Sequence, residues 1–296
     1  MNEPIGIVTV LYNSETVLKD FFISLDSQTY ASITLYVIDN KSPDNSLALA
    51  RELSKTVRFN TVFIANEDNY GVAKGNNQGI QKAIADGFDY ILLSNNDVVL
   101  DPFCIERLYQ GLIAQQADMA VPKIFYFNSP FLWAAGGYFN KWNGLNFHYG
   151  DHKNDAPVFS TSKEVTYAAT CFMLINKRVF EKTGLMDEAY FVYWDDVDFV
   201  YRARKQGLIL WYIPESVLWH KESTSTGVMS DFSIRFSFRN MVYFAMKNYW
   251  RPYAIYVLLV NILYSIFVLP FKWPLDKWRI KMSAYSEGWN LYQNSK

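Results

Sequence analysis

Along the first hundred residues the apolar positions fall in short blocks that switch between two periods. Ile5 to Leu11 is a β-branched run; after Ser14-Glu15-Thr16, residues Val17, Leu18, Phe21, Phe22 and Leu25 recur at helical spacing, which predicts a strand and then a helix. The signal repeats with a strand over Ile33 to Ile38, a helix capped by Pro43-Asp44-Asn45-Ser46 and reaching Leu53, and a strand over Thr61 to Ala65. A helix over Gly75 to Asp86 and a strand over Tyr90 to Leu93 follow. Strand centres without polar alternation are covered on both faces. The pattern therefore predicts an α/β domain on a mostly parallel sheet flanked by helices, which binds ligands at the carboxyl ends of its strands.

Beyond Asp101-Pro102 the pattern loosens into a helix over Cys104 to Gln115 and a loop from Phe127 to Lys163 rich in Gly, Asn and aromatics. A strand over Tyr167 to Ile175, helices over Lys177 to Thr183 and Val197 to Gln206, and a strand over Leu210 to Leu218 come next. From Ser233 the chain reads as helix, broken at Pro252, Pro270 and Pro274. This divides it into an α/β domain over 1–232 and a helical extension over 233–296.

Composition narrows the function. The 28 basic residues nearly cancel the 29 acidic ones, leaving no field to hold nucleic acid, while 18% aromatic content exceeds what a core needs and leaves rings for a ligand or a membrane. Cys104 and Cys171 lack zinc or disulfide spacing and read as buried thiols. Met1-Asn2-Glu3-Pro4 has no basic region before an apolar stretch, so no secretion signal is expected and the location is cytoplasmic.

Polar clusters sit where strands end. A lone Asp there is usually a turn or a cap, yet Asp39-Asn40 and Asn95-Asn96-Asp97 close two strands of one predicted sheet. A carboxylate at Asp39 can accept the imide N–H of uracil or thymine, which cytosine and adenine lack. Gly71, Gly75 and Gly79 let backbone approach a ligand and then enter a helix, but their spacing is neither a Walker loop nor the dinucleotide fingerprint, whose place after the first strand is held by Tyr12-Asn13-Ser14. In Trp194-Asp195-Asp196-Val197-Asp198, three carboxylates crowd into four positions between Phe191, Tyr193 and Phe199; burial there raises a carboxyl toward the range of a general base. Asp198 and Arg202, at i and i+4, are spaced as a helical ion pair.

Over residues 5 to 240 these strings, with Val8-Thr9-Val10-Leu11-Tyr12-Asn13, Val37 to Ser46, Asn69 to Gly79 and His220, resemble the inverting glycosyltransferases of family 2 with the GT-A fold, in their rhamnosyltransferase-like branch. The resemblance implies a UDP- or dTDP-sugar donor held by Tyr12, Asn13, Asp39, Asn40, Gly71, Lys74, Asn77, Asn95 and Asn96. It implies a divalent cation, Mn2+ or Mg2+, on Asp97 and His220, although Asn95 stands where a fuller motif has a second carboxylate. His220 also precedes a polar run, Ser223 to Thr226. By position Asp196 is the base, and Trp194 and Asp195 contact the acceptor, a glycan or lipid-linked oligosaccharide of surface polysaccharide synthesis. Two rivals stay open: a sugar-phosphate nucleotidyltransferase, which would want a basic glycine-rich loop after the first strand, and a nucleotide-sugar-binding subunit without turnover.

Tyr253 to Leu269 is an uncharged run of 17 residues. As a helix it is about 25 Å long, short of a bilayer core of ~30 Å. Trp250, Phe271, Trp273 and Trp278 border it as headgroup-level rings do, and Leu275, Trp278, Met282, Tyr285, Trp289 and Tyr292 form a stripe that leaves Lys277, Arg279 and Lys281 outside. The extension is expected to lie on a membrane surface, with a buried or homo-oligomer-forming helix, or a true span, as alternatives.

Overall fold

The computed structural model describes residues 3–221 and 230–295. Strand β1 (Ile5–Leu11) pairs in parallel with β2 (Ile33–Asp39) and β4 (Tyr90–Ser94), and β2 with β3 (Asn60–Ala65). Helices α1 (Glu15–Asp26), α2 (Ser46–Leu53) and α3 (Gly71–Ala85) make the crossovers that parallel neighbours require. Gly75 and Gly79 have a different use from the one expected of them. A Cβ at either would fall 2.8 or 2.4 Å from the Val10 or Val8 side chain, so they bring α3 down onto β1 rather than onto a ligand.

Past β4 the pairing changes. After β5 (Val98–Leu100) and α4 (Cys104–Ala114), β6 (Met119–Tyr126) and β12 (Phe172–Asn176) pair antiparallel, as do β12 and β4. Only β13 (Leu210–His220), alongside β6, restores a parallel contact there. The sheet is thus mixed, and the mostly parallel expectation holds for its first four strands. Nor is 127–163 one loop: β7 (Phe131–Ala134) and β10 (Lys153–Asn154) join the sheet edge. Between them, β8 (Gly137–Phe139) and β9 (Asn146–His148) form a separate hairpin. These strands are too short for periodicity to mark. β11 (Lys163–Glu164) pairs with β13, and α5 (Arg178–Thr183) and α6 (Asp195–Lys205) complete the domain.

The helical extension divides differently from the boundary drawn at 233. Helix α7 (Asp231–Asn248) buries Tyr243 and Phe244 in the same apolar cluster as Val197 and Phe199 of α6, so it belongs to the α/β unit. Helix α9 (Leu275–Asn294) packs on α7 through Ala284, Tyr285 and Gly288; a Cβ at Gly288 would lie 2.2 Å from the Arg239 carbonyl oxygen. Lys281, expected on the polar side, is buried there instead, 3.8 Å from the centre of the Phe238 ring, and burial pushes its amine down to about 8. Helix α8 (Arg251–Phe267) buries Ala254, Val257 and Ser265 but exposes Ile255, Leu259, Leu263, Ile266 and Phe267. With the turn to Phe271 it is long and apolar enough to cross a membrane by length and composition. Its packed side, however, is tied to the loop after β8, Tyr253 to the Lys141 carbonyl at 2.7 Å and Asn261 to the Asn143 carbonyl at 3.1 Å.

Candidate functional site

The carboxyl ends of β1, β2 and β4 open onto a cavity of about 700 Å³. Asp97 and His220 line it together with Asp195 and Asp196, which lie far from Asp97 in sequence. Pairing of β13 with β5 sets His220 opposite Val98, and its Nε2 lies 3.1 Å from Asp97 Oδ1. Burial works against charge on Asp97, but the hydrogen bond and charge of His220 outweigh it and hold the carboxyl below the ordinary aspartate range.

A carboxylate oxygen and an imidazole nitrogen are donors that a divalent cation accepts. Their 3.1 Å separation is close to the edge of an octahedron with bonds of ~2.1 Å. Among the described residues His220 Nδ1 is buried without a hydrogen-bond partner, so none of them commits the ring elsewhere. Among the described residues no group of three or more His, Cys, Asp or Glu gathers in this way. The pair therefore fits a cation that takes its other ligands from phosphate and water.

The donor-side residues fall into two sets. Tyr12 stands at the mouth, 41% exposed, whereas Asp39, expected at the base, is buried at the end of β2 outside the cavity lining, its oxygens accepting the Ser42 N–H at 3.3 Å. Asn95, Asn96 and Gly71 also line the cavity. Gly71 has φ +82° and its absent Cβ would meet the Phe191 carbonyl oxygen at 2.4 Å, so glycine is required. Asn96 donates to the Val10 carbonyl at 2.8 Å. Asn40 lines the wall with its amide spent, donating to the Gly71 carbonyl at 2.9 Å and accepting from Asn66 at 2.8 Å.

Like Asp39, Lys74, Asn77 and Asn13, expected at the nucleotide, lie outside the cavity lining. The Lys74 ammonium sits 3.9 Å from the centre of the Tyr70 ring. Asn77 is consumed in fastening α3 to the Met186 backbone and to Glu188. Asn13 serves through its backbone, turning the chain at φ 56°. The Ser223 to Thr226 run lies outside the described residues.

The chain enters α6 through Phe191, Tyr193 and Trp194, all at positive φ of 60 to 68°. Such backbone is costly for bulky residues and needs outside support. Asn240 of α7 supplies it, its amide donating to the carbonyls of Tyr190, Val192 and Tyr193 at 2.8 to 2.9 Å. Trp194, expected at the acceptor, packs instead against Phe244 of α7, ring centres 5.2 Å apart, and anchors this turn. Asp195 and Asp196 then occupy the first turn of α6 and face the cavity. Burial raises both carboxyls above the ordinary range. Asp196 adds charge repulsion on Asp195, whereas a Tyr167 hydrogen bond and backbone N–H groups temper the rise of Asp196. Asp198, one helical step on, turns away: it pairs with Arg202 as the spacing predicts, at 2.6 Å, and also accepts from Lys247 at 2.9 Å and Asn248 at 2.7 Å of α7.

Sequence reading missed three positions that shape the cavity. Trp133 lines the cavity edge-on to His220 at 4.8 Å, Tyr167 reaches Asp196, and Asn240 holds the turn. Trp133 lies on a strand too short for a periodic signal, and Tyr167, read as the start of a strand to Ile175, precedes β12, which begins only at Phe172. Only a buried Asn in an apolar helix could have flagged the last.

A profile described as Glycosyl transferase family 2 matches residues 6–184. Low-salt glycan biosynthesis hexosyltransferase Agl10 of Haloferax volcanii is 24% identical over 249 residues, 81% of this chain and 75% of that protein. The dTDP-rhamnosyl transferase RfbF of Shigella flexneri is 23% identical over 260 residues, 88% of this chain and 81% of its own. Glycosyltransferase GlyA of Streptococcus pneumoniae is 25% identical over 43% of this chain, a match that spans only 18% of that longer protein. Among solved structures, GalNAc-T7 with UDP, GalNAc and Mn2+ superposes with TM-score 0.70 at 15% identity, covering 97% of this chain and 56% of that one. Staphylococcus aureus TarS 1–349 with UDP-GlcNAc gives 0.64 at 13% identity, covering 98% and 81%.

Proposed function

This chain belongs to glycosyl transferase family 2 and has the GT-A fold; from that premise we propose that it is an inverting transferase that moves a rhamnosyl or hexosyl unit from a UDP- or dTDP-sugar to a hydroxyl of a glycan or lipid-linked oligosaccharide. The observation that carries the reading is one cavity lined by both an Asp–His pair and two crowded carboxyls. The relatives' own activities, a hexosyltransferase and a dTDP-rhamnosyl transferase, favour it.

Asp39 holds the pyrimidine by its imide N–H, and Tyr12 lies against the base. Asp97 and His220 would hold Mn2+ or Mg2+, which would supply charge neutralisation of the diphosphate. Asp196 takes the acceptor proton while the acceptor oxygen bonds the anomeric carbon and the bond to the diphosphate breaks, which inverts that centre without a covalent enzyme intermediate. A buried site suits this step, because water there would compete with the acceptor.

We place the protein at the cytoplasmic face of a membrane, with α8 lying in the plane of the surface. Its exposed apolar row supports this, while the bonds to the 141–143 backbone would drag a polar loop into the bilayer if α8 spanned it. Flotation with anionic vesicles should carry the intact chain and lose Leu259→Asp/Leu263→Asp; flotation unchanged by that pair of charges rules this placement out.

A thermal-shift panel tests the donor. UDP- and dTDP-sugars should raise Tm, and more so with manganese, by mass action on the folded state. Equal shifts from purine nucleotide sugars would sink the base assignment. Binding without any donor turnover, with acceptor or with water, would favour a non-catalytic subunit.

A further inference from the structure

The excursion between β6 and β12 ends on a side chain built into the site from behind. The Tyr167 hydroxyl donates to Asp196 Oδ2 at 2.9 Å, and its residue is 3% exposed. The β8–β9 hairpin, detached from the main sheet, forms its backing. Tyr167 N–H donates to the Gly137 carbonyl at 3.2 Å, and the ring lies 5.5 Å from both Phe139, edge-on, and His148. A Cβ on Gly137 would fall 2.5 Å from the Phe147 carbonyl oxygen and 3.0 Å from the Tyr167 ring, so glycine is needed for the hairpin and the ring to close. Asp196 Oδ1 meanwhile accepts from the Val197 N–H at 2.8 Å, and the two bonds together fix the plane of the carboxylate.

We propose that Tyr167 is a positioning residue whose hydroxyl fixes the Asp196 carboxylate and makes it, rather than Asp195, the ionised member of the pair. This rests on the reading of Asp196 as the base. Asp196 faces Asp195 on its own helix, and the Tyr167 hydroxyl and the Cys171 thiol from the strand side. Asp198, further along α6, has its charge met by Arg202 and Lys247. Burial pushes the Tyr167 hydroxyl and the Cys171 thiol well up, so both keep their protons at neutral pH. Burial pushes His148, behind the ring, down to about 4, so it is neutral there. The competition for negative charge is thus between two carboxyls that share a small space. A hydrogen bond donated to one of them favours ionisation of that one. Asp195 draws only on backbone N–H groups of its own turn.

The test is a carboxyl titration of the full chain by carbon-13 NMR with labelled aspartate. The resonance absent from Asp196→Asn identifies the group. In Tyr167→Phe its midpoint should move up by about one pH unit. Replacing Tyr167 by 3-fluorotyrosine, which keeps the shape and strengthens the donor, should move it down, and this arm serves if the phenylalanine variant folds poorly. An unmoved midpoint in either folded variant overturns the proposal, because a merely structural tyrosine would change stability and leave the titration alone. The pH dependence of donor hydrolysis is then compared with the same series. If the carboxyl midpoint moves and the rate profile does not, Tyr167 positions Asp196 as proposed and the assignment of Asp196 as base fails.

Discussion

Within one cavity Asp97 lies 3.1 Å from His220 and is held ionised, while Asp195 and Asp196 share the first turn of α6 and burial drives both toward their protonated forms. Both sites are acidic; Asp195 is buried, and Asp97 and Asp196 are half-buried. They differ in what sits beside each carboxyl: an imidazole in one case, another carboxyl in the other. An anion kept charged suits a cation and the phosphates it carries, whereas a carboxyl poised between its two forms suits proton transfer. Burial alone therefore does not assign a role; the nearest neighbour does.

The largest effect should come from replacing Asp196, the base of the proposed mechanism. Asp196→Asn keeps size and most hydrogen bonding but cannot take a proton, so turnover should fall by about two to four orders of magnitude, the usual contribution of general acid–base catalysis. Donor affinity by calorimetry should stay within a few fold. Near-normal turnover in this variant together with a dead Asp195→Asn would transfer the base to the neighbouring residue. That exchange would break the contrast between the two members of the pair.

A smaller effect is expected at the Asp97 site. Asp97→Ala should leave metal-free UDP affinity nearly unchanged and abolish its enhancement by manganese, because the loss is of a cation ligand rather than of a base contact. Calorimetry with and without the metal reads the difference directly. An enhancement that survives in Asp97→Ala would mean that the cation is held elsewhere, and the two sites would no longer divide the work.

The donor side was the more legible in sequence. Asp39, Asn95 and Asp97 sit at or just beyond the ends of strands whose apolar runs mark them, so strand prediction places them on one edge of the sheet. The acceptor side depends on partners distant in sequence: Tyr167 lies 29 residues from Asp196, and Asn240 binds carbonyls 47 to 50 residues away. No period in the chain encodes such contacts. The same limit explains the misplaced residues. Asn77 and Trp194 have the polarity or aromaticity of ligand contacts, but Asn77 meets the Met186 backbone and Trp194 meets Phe244, and only the fold brings these partners near. The helical extension misled for a related reason: periodicity shows that a helix has an apolar side but not which neighbour covers it, so Lys281 was placed outside and is buried against α7.

The subtlest test bears on the crowded pair itself, through stability. A carboxyl whose folded-state pKa is raised binds its proton more tightly when folded. Its contribution is therefore full below the unfolded value of about 4 and is lost as pH rises through the raised folded value. Burial and the charge of Asp196 raise Asp195, so the wild type should lose stability across that window. Asp195→Asn is neutral at every pH. It should match the wild type near pH 4 and exceed it at pH 8 by about 1 kcal/mol or more, which is roughly 2 to 4 °C in Tm for a chain of this size. Because Asp195 keeps its proton while Asp196 titrates, the same substitution should leave the rate profile in place, while loss of an acceptor contact raises the acceptor KM. Parallel stability curves for the two proteins from pH 4 to pH 8 would show that Asp195 is ordinary in the folded state, and the acceptor side would then be no more strained than the Asp97 site.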